Sequence, residues 1–211
     1  MSGHRSAPAL PEWAESDDAR DGRVVRRERN RDAVVDAIMV LIQSGETQPA
    51  MADVARLAGV SERSIFRHFE SREALLAAVI DRQVEVVSGL LREIPPTGPL
   101  ASRISAFVSE RARLYEEITP MRRAALHVVE VSDLVSDRLA DTRAWLREEL
   151  EAVFERELSR RPSTDRRDLV AALDVATSWE AWNLLREVEG CSAPRARRIL
   201  VRVMTRLLAG S

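Results

Sequence analysis

Residues 50–76, AMADVARLAGVSERSIFRHFESREALL, constrain this chain more than any other stretch. Met51, Val54, Ala55 and Ala58 fall at i, i+3, i+4 and i+7, the apolar stripe of one short helix. Gly59 follows, where a tight turn between helices wants a residue that tolerates positive φ. Val60 plugs the corner, and Ser61 suits the N-cap of a second helix. On that second helix Ile65 and Phe69 turn inward, while Glu62, Arg63, Ser64, Arg67 and His68 are left facing out. Two helices this short must cross closely, which needs a small residue such as Ala55 at the crossing. A polar, partly basic outer face serves little structural purpose on so short a helix. It suits insertion into the major groove of DNA.

The flanking sequence extends the pattern. Val34, Val35, Ile38, Leu41 and Ile42 make an amphipathic helix that stops at Ser44-Gly45. After Phe69-Glu70, Ser71 caps a further helix beginning at Arg72. Taken together, ADVARLAGVS-x-RSIFRHF-x-SREAL resembles the N-terminal DNA-binding domain of the TetR family of bacterial transcriptional regulators. The family's usual wording is close to DIA-x-x-AGVS-x-GTLY-x-HF-x-SKE-x-L. The resemblance is strong over about residues 30–80; beyond that it rests on helical content and length.

Four departures from the family pattern matter. Ala50 and Met51 replace the Thr or Ser that caps the first helix of the motif and touches a phosphate. Phe66 replaces a Tyr, keeping the apolar body and losing the hydroxyl. Arg72 replaces a Lys, and a phosphate contact survives that change. Arg63 stands where the family has Gly, placing a long donor where bases lie. By the resemblance, Ser64, Phe66, His68 and Arg72 hold the phosphate backbone, Phe66 through apolar contact only and His68 as a donor at the groove edge. Arg63, with Glu62 and Arg67, meets base edges, for which guanine is the best partner of Arg.

Composition bounds the rest. Aromatics are few, helix formers are many and no long alternating strand pattern occurs, so the chain is expected to be all-α. All 32 basic residues are arginine, which suits a GC-rich genome. The net charge of −2 lacks the basic excess usual in nucleic-acid binders, so any positive field must be local. Residues 23–31, RVVRRERNR, carry five arginines and one Glu. Arginines at a helix start oppose the macrodipole, so Arg23, Arg26, Arg27, Arg29 and Arg31 make better sense beside a polyanion. A single cysteine, Cys191, fits a reducing compartment. No signal peptide and no membrane-spanning apolar run are read, so the expected location is the cytoplasm.

Along the chain, residues 1–22 read as a disordered tail, 23–70 as the helix-turn-helix domain and 71–211 as a helical effector-binding and dimerisation domain. A helix is expected from Arg72 to about Glu93, ended by Pro95-Pro96-Thr97-Gly98-Pro99. Thr119-Pro120 reads as the start of a new helix. Further helices are expected over 136–159, from Asp165 (capped by Ser163 or Thr164) to about Val188, and over about 193–208. Ile199, Leu200, Val203, Met204, Leu207 and Leu208 give the last a broad apolar face. The family resemblance implies that the last two helices, about 165–188 and 193–208, pair with a second copy as a C2 dimer. Two recognition helices would then read a pseudo-palindromic DNA operator.

The resemblance also implies a cavity for a small-molecule effector among the middle helices. Phe107, Trp145 and Trp179 are the candidate apolar lining, with His127 and Tyr115 as polar handles. An enzyme is not expected. His4, His68 and His127 are scattered, no metal-ligand spacing appears, no Gly-rich phosphate loop follows a strand, and no cofactor is implied. The reading is therefore a TetR-like regulator, as a rule a repressor. Its rival is an all-α ligand-binding or scaffolding module that no longer binds DNA, favoured by the missing Tyr hydroxyl, the missing Thr cap and the acidic net charge.

Overall fold

The computed structural model describes residues 12–89, 91–129 and 132–209, with side chains described from Val24 onward except at 127–129. Among the described residues every regular element is helical. Helices α1 (Glu12–Gln43), α2 (Met51–Ala58) and α3 (Glu62–His68) form an N-terminal head. Helix α4 (Arg72–Ser88) leaves the head for a body built from α5 (Leu100–Val129), α6 (Asp133–Leu158) and α7 (Ser163–Ala176). Helix α8 (Trp179–Asn183) runs into one π-helical turn, Leu184–Val188, and α9 (Ala193–Ala209) completes the body. No helix among the described residues is long and apolar enough to cross a membrane.

Two apolar clusters hold the molecule. In the head, Val34, Ile38 and Ile42 of α1 pack on Val54 and Ala55 of α2 and Ile65 of α3. Each such side chain contributes roughly 1.5–3 kcal/mol when fully buried. The same cluster takes in Leu75 and Val79 from the first turns of α4, and Met121 and Ala124 from α5. The head core thus continues past residue 70 into the two helices that lead to the body. Arg82 of α4 adds a polar clamp, reaching Asp32 and Asp36 of α1 at 3.2 and 3.3 Å. In the body, Phe107 and Phe154 meet edge to face with ring centroids 5.4 Å apart. Around them lie Leu150, Leu158, Leu173 and Trp182. Ala196, Leu200, Met204 and Leu208 repeat every four residues along the buried face of α9.

Several element boundaries differ from the sequence reading, each for a local reason. Helix α1 begins at Glu12, inside the stretch expected to be a disordered tail; residues 1–11 lie outside the described residues. Acidic residues lead this segment and arginines follow, the order that a helix macrodipole favours. Helix α4 stops at Ser88 rather than near Glu93, and the chain beyond it lets Ile94 plug the body core. Pro95 holds Ile94 away from helical geometry.

The new helix expected at Thr119-Pro120 does not form: α5 runs unbroken with Pro120 inside it. The Thr119 hydroxyl donates to the Tyr115 carbonyl. Buried residues continue in helical register on both sides of the proline, from Tyr115 to Met121, Ala124 and Ala125. That packing outweighs the ~3 kcal/mol that an interior proline costs.

The opposite happens at 177–178, where one expected helix becomes two. The Thr177 carbonyl is diverted to accept the Tyr115 hydroxyl at 2.6 Å, and the Ser178 side chain caps α8 by accepting from the Ala181 N–H at 3.1 Å. Neither Ser163 nor Thr164 caps α7. Pro162 occupies the cap position without a side-chain bond, and its carbonyl accepts from the Arg166 N–H at 2.8 Å.

Candidate nucleic-acid interface and interior cavity

The turn between α2 and α3 is built by Gly59, whose φ of 67° lies in the left-handed region. Its position lets the Val60 N–H donate to the Ala55 carbonyl at 3.0 Å, closing the end of α2 in a Schellman-type cap. Ser61 then caps α3, its hydroxyl accepting from the Ser64 N–H at 3.2 Å and meeting the Ser64 hydroxyl at 3.0 Å. Ala50 fills the N-cap of α2 with no side-chain bond, so the cap missing from the sequence is missing in the structure.

Behind α3, Ile65 is 1% exposed and fixes the helix on the head core. In front, Glu62, Arg63 and Arg67 are exposed, and Phe66 is 61% exposed, an unusual place for a phenyl ring. Arg72 stands exposed in the first turn of α4, beside the Ser71 cap. Glu62, Arg63, Phe66 and Arg67 thus share the outer face of α3, and Arg72 is exposed at the start of the next helix. From α1, the Arg31 guanidinium sits 5.0 Å from the Phe69 ring, a cation–π contact that spends one of the five N-terminal arginines on the fold. Arg26, Arg27 and Arg29 are exposed.

His68 departs from its expected role. Both ring nitrogens are shut off from solvent and have no partner among the described residues. Burial first, then the charges of Arg67, Arg27 and Arg31, holds its pKa below the ordinary 6.5, so the ring is neutral in the free protein. To donate to a phosphate the imidazole must turn outward.

In the body, α4, α5, α6 and the α7–α8 corner surround a cavity with a free volume of about 90 Å³, open on one side. Ile80, Val84, Met121, Leu146 and Trp179 give it an apolar wall, and Trp145 stands at its rim, 38% exposed. Of the residues read as effector contacts, Tyr115, Trp145 and Trp179 lie on this wall. Phe107 does not: it is wholly buried behind the wall, against Phe154 and under the Arg111 guanidinium at 4.6 Å. The side chain of His127 lies outside the described residues.

The sequence reading missed the polar groups of this wall. Arg111, Tyr115, Ile118 and Arg122 line it from α5 at i, i+4, i+7 and i+11, one face of the helix. That stripe of polar and apolar residues was visible in the sequence, but arginines on a helix read by default as a solvated face. Arg111 is 3% exposed; it donates to the Leu146 carbonyl at 2.5 Å and ion-pairs with Glu149 at 2.9 Å, without hydrogen-bond geometry in the latter contact. Arg122 donates to Glu180 at 2.9 Å and lies 5.5 Å over the Trp179 ring. Arg143 donates to Asp174 through Nε and Nη2 at 3.2 and 3.0 Å. Burial pushes the Tyr115 phenol up to about 12, so it stays neutral and keeps donating to Thr177.

Comparison with known proteins places this geometry. Residues 34–79, which span the last part of α1 through the first half of α4, match the family model described as bacterial regulatory proteins, tetR family. An HTH-type transcriptional activator, FasR, from Mycolicibacterium smegmatis is 32% identical over 90 residues. That match covers 42% of this chain and 41% of FasR, so it spans about two fifths of either protein. A TetR-family regulator from a Rhodococcus species superposes with a TM-score of 0.64 at 20% identity, over 85% of this chain and 98% of its own. A TetR-family regulator from Streptomyces coelicolor gives 0.66 at 15% identity, over 85% and 82%. At such identities the structural likeness establishes the all-α fold, and the family match is confined to residues 34–79. Over residues 34–79 this chain therefore resembles the TetR family of bacterial regulatory proteins, and its body shares the all-α fold of these solved structures.

Proposed function

We propose that the protein regulates transcription by binding double-stranded DNA as a homodimer, and that a small molecule in the body cavity changes that binding. The observation that carries the proposal is the outer face of α3. A helix pinned from behind by Ile65 exposes Arg63, Phe66 and Arg67 together, and no described neighbour occupies Arg63 or Arg67. In this reading Arg63 contacts base edges with Glu62 and Arg67 beside it. Ser64, Phe66, His68 and Arg72 hold the backbone, His68 after its ring has turned.

Dimerisation is supported by the last helices, where Val175, Leu184, Val188 and Val203 all stand exposed in the single chain. A second copy covering them would set two α3 helices on a pseudo-palindromic operator. Blocking a promoter from such a site makes the protein a repressor acting in the cytoplasm; the FasR relative is named an activator, and the position of the operator decides between the two modes.

Coupling would run through α4. Leu75 and Val79 lock its first half into the head, Arg82 ties it to α1, and Gln83, Val84 and Val87 face the cavity. A ligand that displaces the second half must therefore move the head.

The test is a titration of the full chain against genomic fragments, with shuffled controls, at two salt concentrations. Selective binding that weakens steeply with salt is expected. Equal and weak binding to genomic and shuffled DNA alike would instead favour a ligand-binding module that no longer reads DNA.

A further inference from the structure

The charges and unmet hydrogen bonds of the cavity wall restrict what can bind there, given that the cavity is the effector site as proposed above. Each of its three guanidiniums already holds a carboxylate: Arg111 with Glu149, Arg122 with Glu180 and Arg143 with Asp174. Among the described residues of the wall no fixed cation is left over for an anionic ligand, and no fixed carboxylate for a cationic one. A charged molecule entering this space would lose its hydration without gaining a counter-ion, which is costly in an apolar site.

The hydroxyls are also engaged. Tyr115 donates to the Thr177 carbonyl, the Thr177 hydroxyl to Leu173, the Ser178 hydroxyl to Val175 and the Thr142 hydroxyl to Arg138. The Trp179 indole N–H donates to Thr119 at 3.1 Å. Two wall groups stand apart. Gln83, in a residue only 5% exposed, has an amide nitrogen buried without a partner, and the Nε of Arg122 is buried without one too. Both are donors. A buried donor with nothing to bond is destabilising in the empty protein, and an acceptor supplied by a ligand relieves it.

We infer that the cavity takes an uncharged, largely apolar molecule of about one ring that carries a hydrogen-bond acceptor such as a carbonyl oxygen, with Gln83 as its principal donor. The apolar body lies against Ile80, Val84, Met121 and Trp179, and the acceptor meets the Gln83 amide nitrogen once that side chain, which lines the cavity, turns its buried nitrogen toward it. The free volume of about 90 Å³ is smaller than the roughly 150 Å³ that holds benzene, so one ring fills the cavity and extends into its open side.

Four one-ring probes separate the possibilities in calorimetric titrations of the full chain: acetophenone, benzoate, benzylammonium and ethylbenzene. Acetophenone is expected to bind more tightly than either charged probe. The variant Gln83→Leu keeps the volume and removes the donor. It should bind acetophenone about tenfold less tightly, the loss expected for one hydrogen bond, and ethylbenzene no less tightly. Its melting temperature should hold or rise, because the orphaned donor is gone; a merely structural Gln83 would lower it. Tighter binding of benzoate or benzylammonium overturns the assignment, as does an equal loss of acetophenone and ethylbenzene in Gln83→Leu. Binding of none of the four also overturns it. DNA binding is followed on the same preparation: its retention with no probe bound leaves the DNA-binding reading standing. Its absence alongside selective acetophenone binding would sink that reading and leave this one.

Discussion

In the head, Val54 and Ile65 are sealed in a small core while Glu62, Arg63 and Arg67 of α3 face outward without a described partner. In the body the arrangement is reversed. Arginines are drawn inward: Arg103 donates to the Val153 carbonyl and pairs with Glu157 in the core, and Arg111 donates to the Leu146 carbonyl beside a space that the side chains leave unfilled. Outside the closed imidazole of His68, unused hydrogen-bonding capacity in the head sits on the surface, whereas in the body the Gln83 amide nitrogen and the Arg122 Nε hold it in the interior. That difference underlies the two proposed partners, a hydrated polyanion outside and a small apolar molecule inside.

Substitutions can break this contrast, beginning with the largest effect. Phe107→Ala removes a wholly buried ring from the Phe154 pair and should cost about 3–5 kcal/mol of stability, measured by denaturant unfolding. Phe66→Ala should change stability by no more than about 0.5 kcal/mol, because the ring is exposed, yet weaken DNA binding in a fluorescence-anisotropy assay. A large stability loss in Phe66→Ala would place that ring in the fold rather than at an interface.

Next, Arg63→Ala should relax sequence preference at one position per half-site, costing roughly 1–3 kcal/mol per contact. Arg72→Ala should instead weaken all sequences alike and reduce the salt slope by about 0.9 per phosphate released. If Arg63→Ala lowered affinity equally for all sequences, Arg63 would be a backbone contact.

A smaller effect is expected at the turn. Gly59→Ala meets no atom within 4 Å, so its cost is the left-handed conformation alone, roughly 1 kcal/mol in chemical denaturation. The smallest is a pH effect at His68. Its folded pKa lies below the ordinary 6.5, so the unfolded chain takes up a proton first as pH falls. The His68 contribution to stability is therefore complete above pH 6.5 and declines as pH drops through that value toward the depressed folded pKa. DNA phosphate acts in the other direction, favouring the protonated ring once it turns outward. Affinity should thus rise modestly from pH 8 to pH 6, and His68→Asn should flatten the slope.

The two regions also differ in how legible they were. The head could be read residue by residue because its structure is local: the Ala55 crossing, the Gly59 turn and the Ser61 and Ser71 caps each depend on neighbours a few positions away. The body depends on partners far along the chain. Tyr115 meets Thr177, Trp182 meets Glu116 and Arg103 meets Glu157, at separations of 62, 66 and 54 residues, and no periodicity shows which arginine will be buried. Pro120 was read as a helix start because local rules say so, and packing overrode them. The break at Thr177-Ser178 went unseen because it needs the Tyr115 hydroxyl to capture a backbone carbonyl. Within the candidate interface the exposed side chains of α3 were legible; the closed imidazole of His68 was not, since α1 contributes to its surroundings.

The central claim is that paired α3 helices read DNA sequence, and selection of bound duplexes from a random library, using the full chain, tests it most directly. Enrichment of a two-fold symmetric motif, lost at one position per half-site with Arg63→Ala, is the expected result. Recovery of unenriched DNA, or of a motif unchanged by Arg63→Ala, Glu62→Ala and Arg67→Ala alike, would contradict the account.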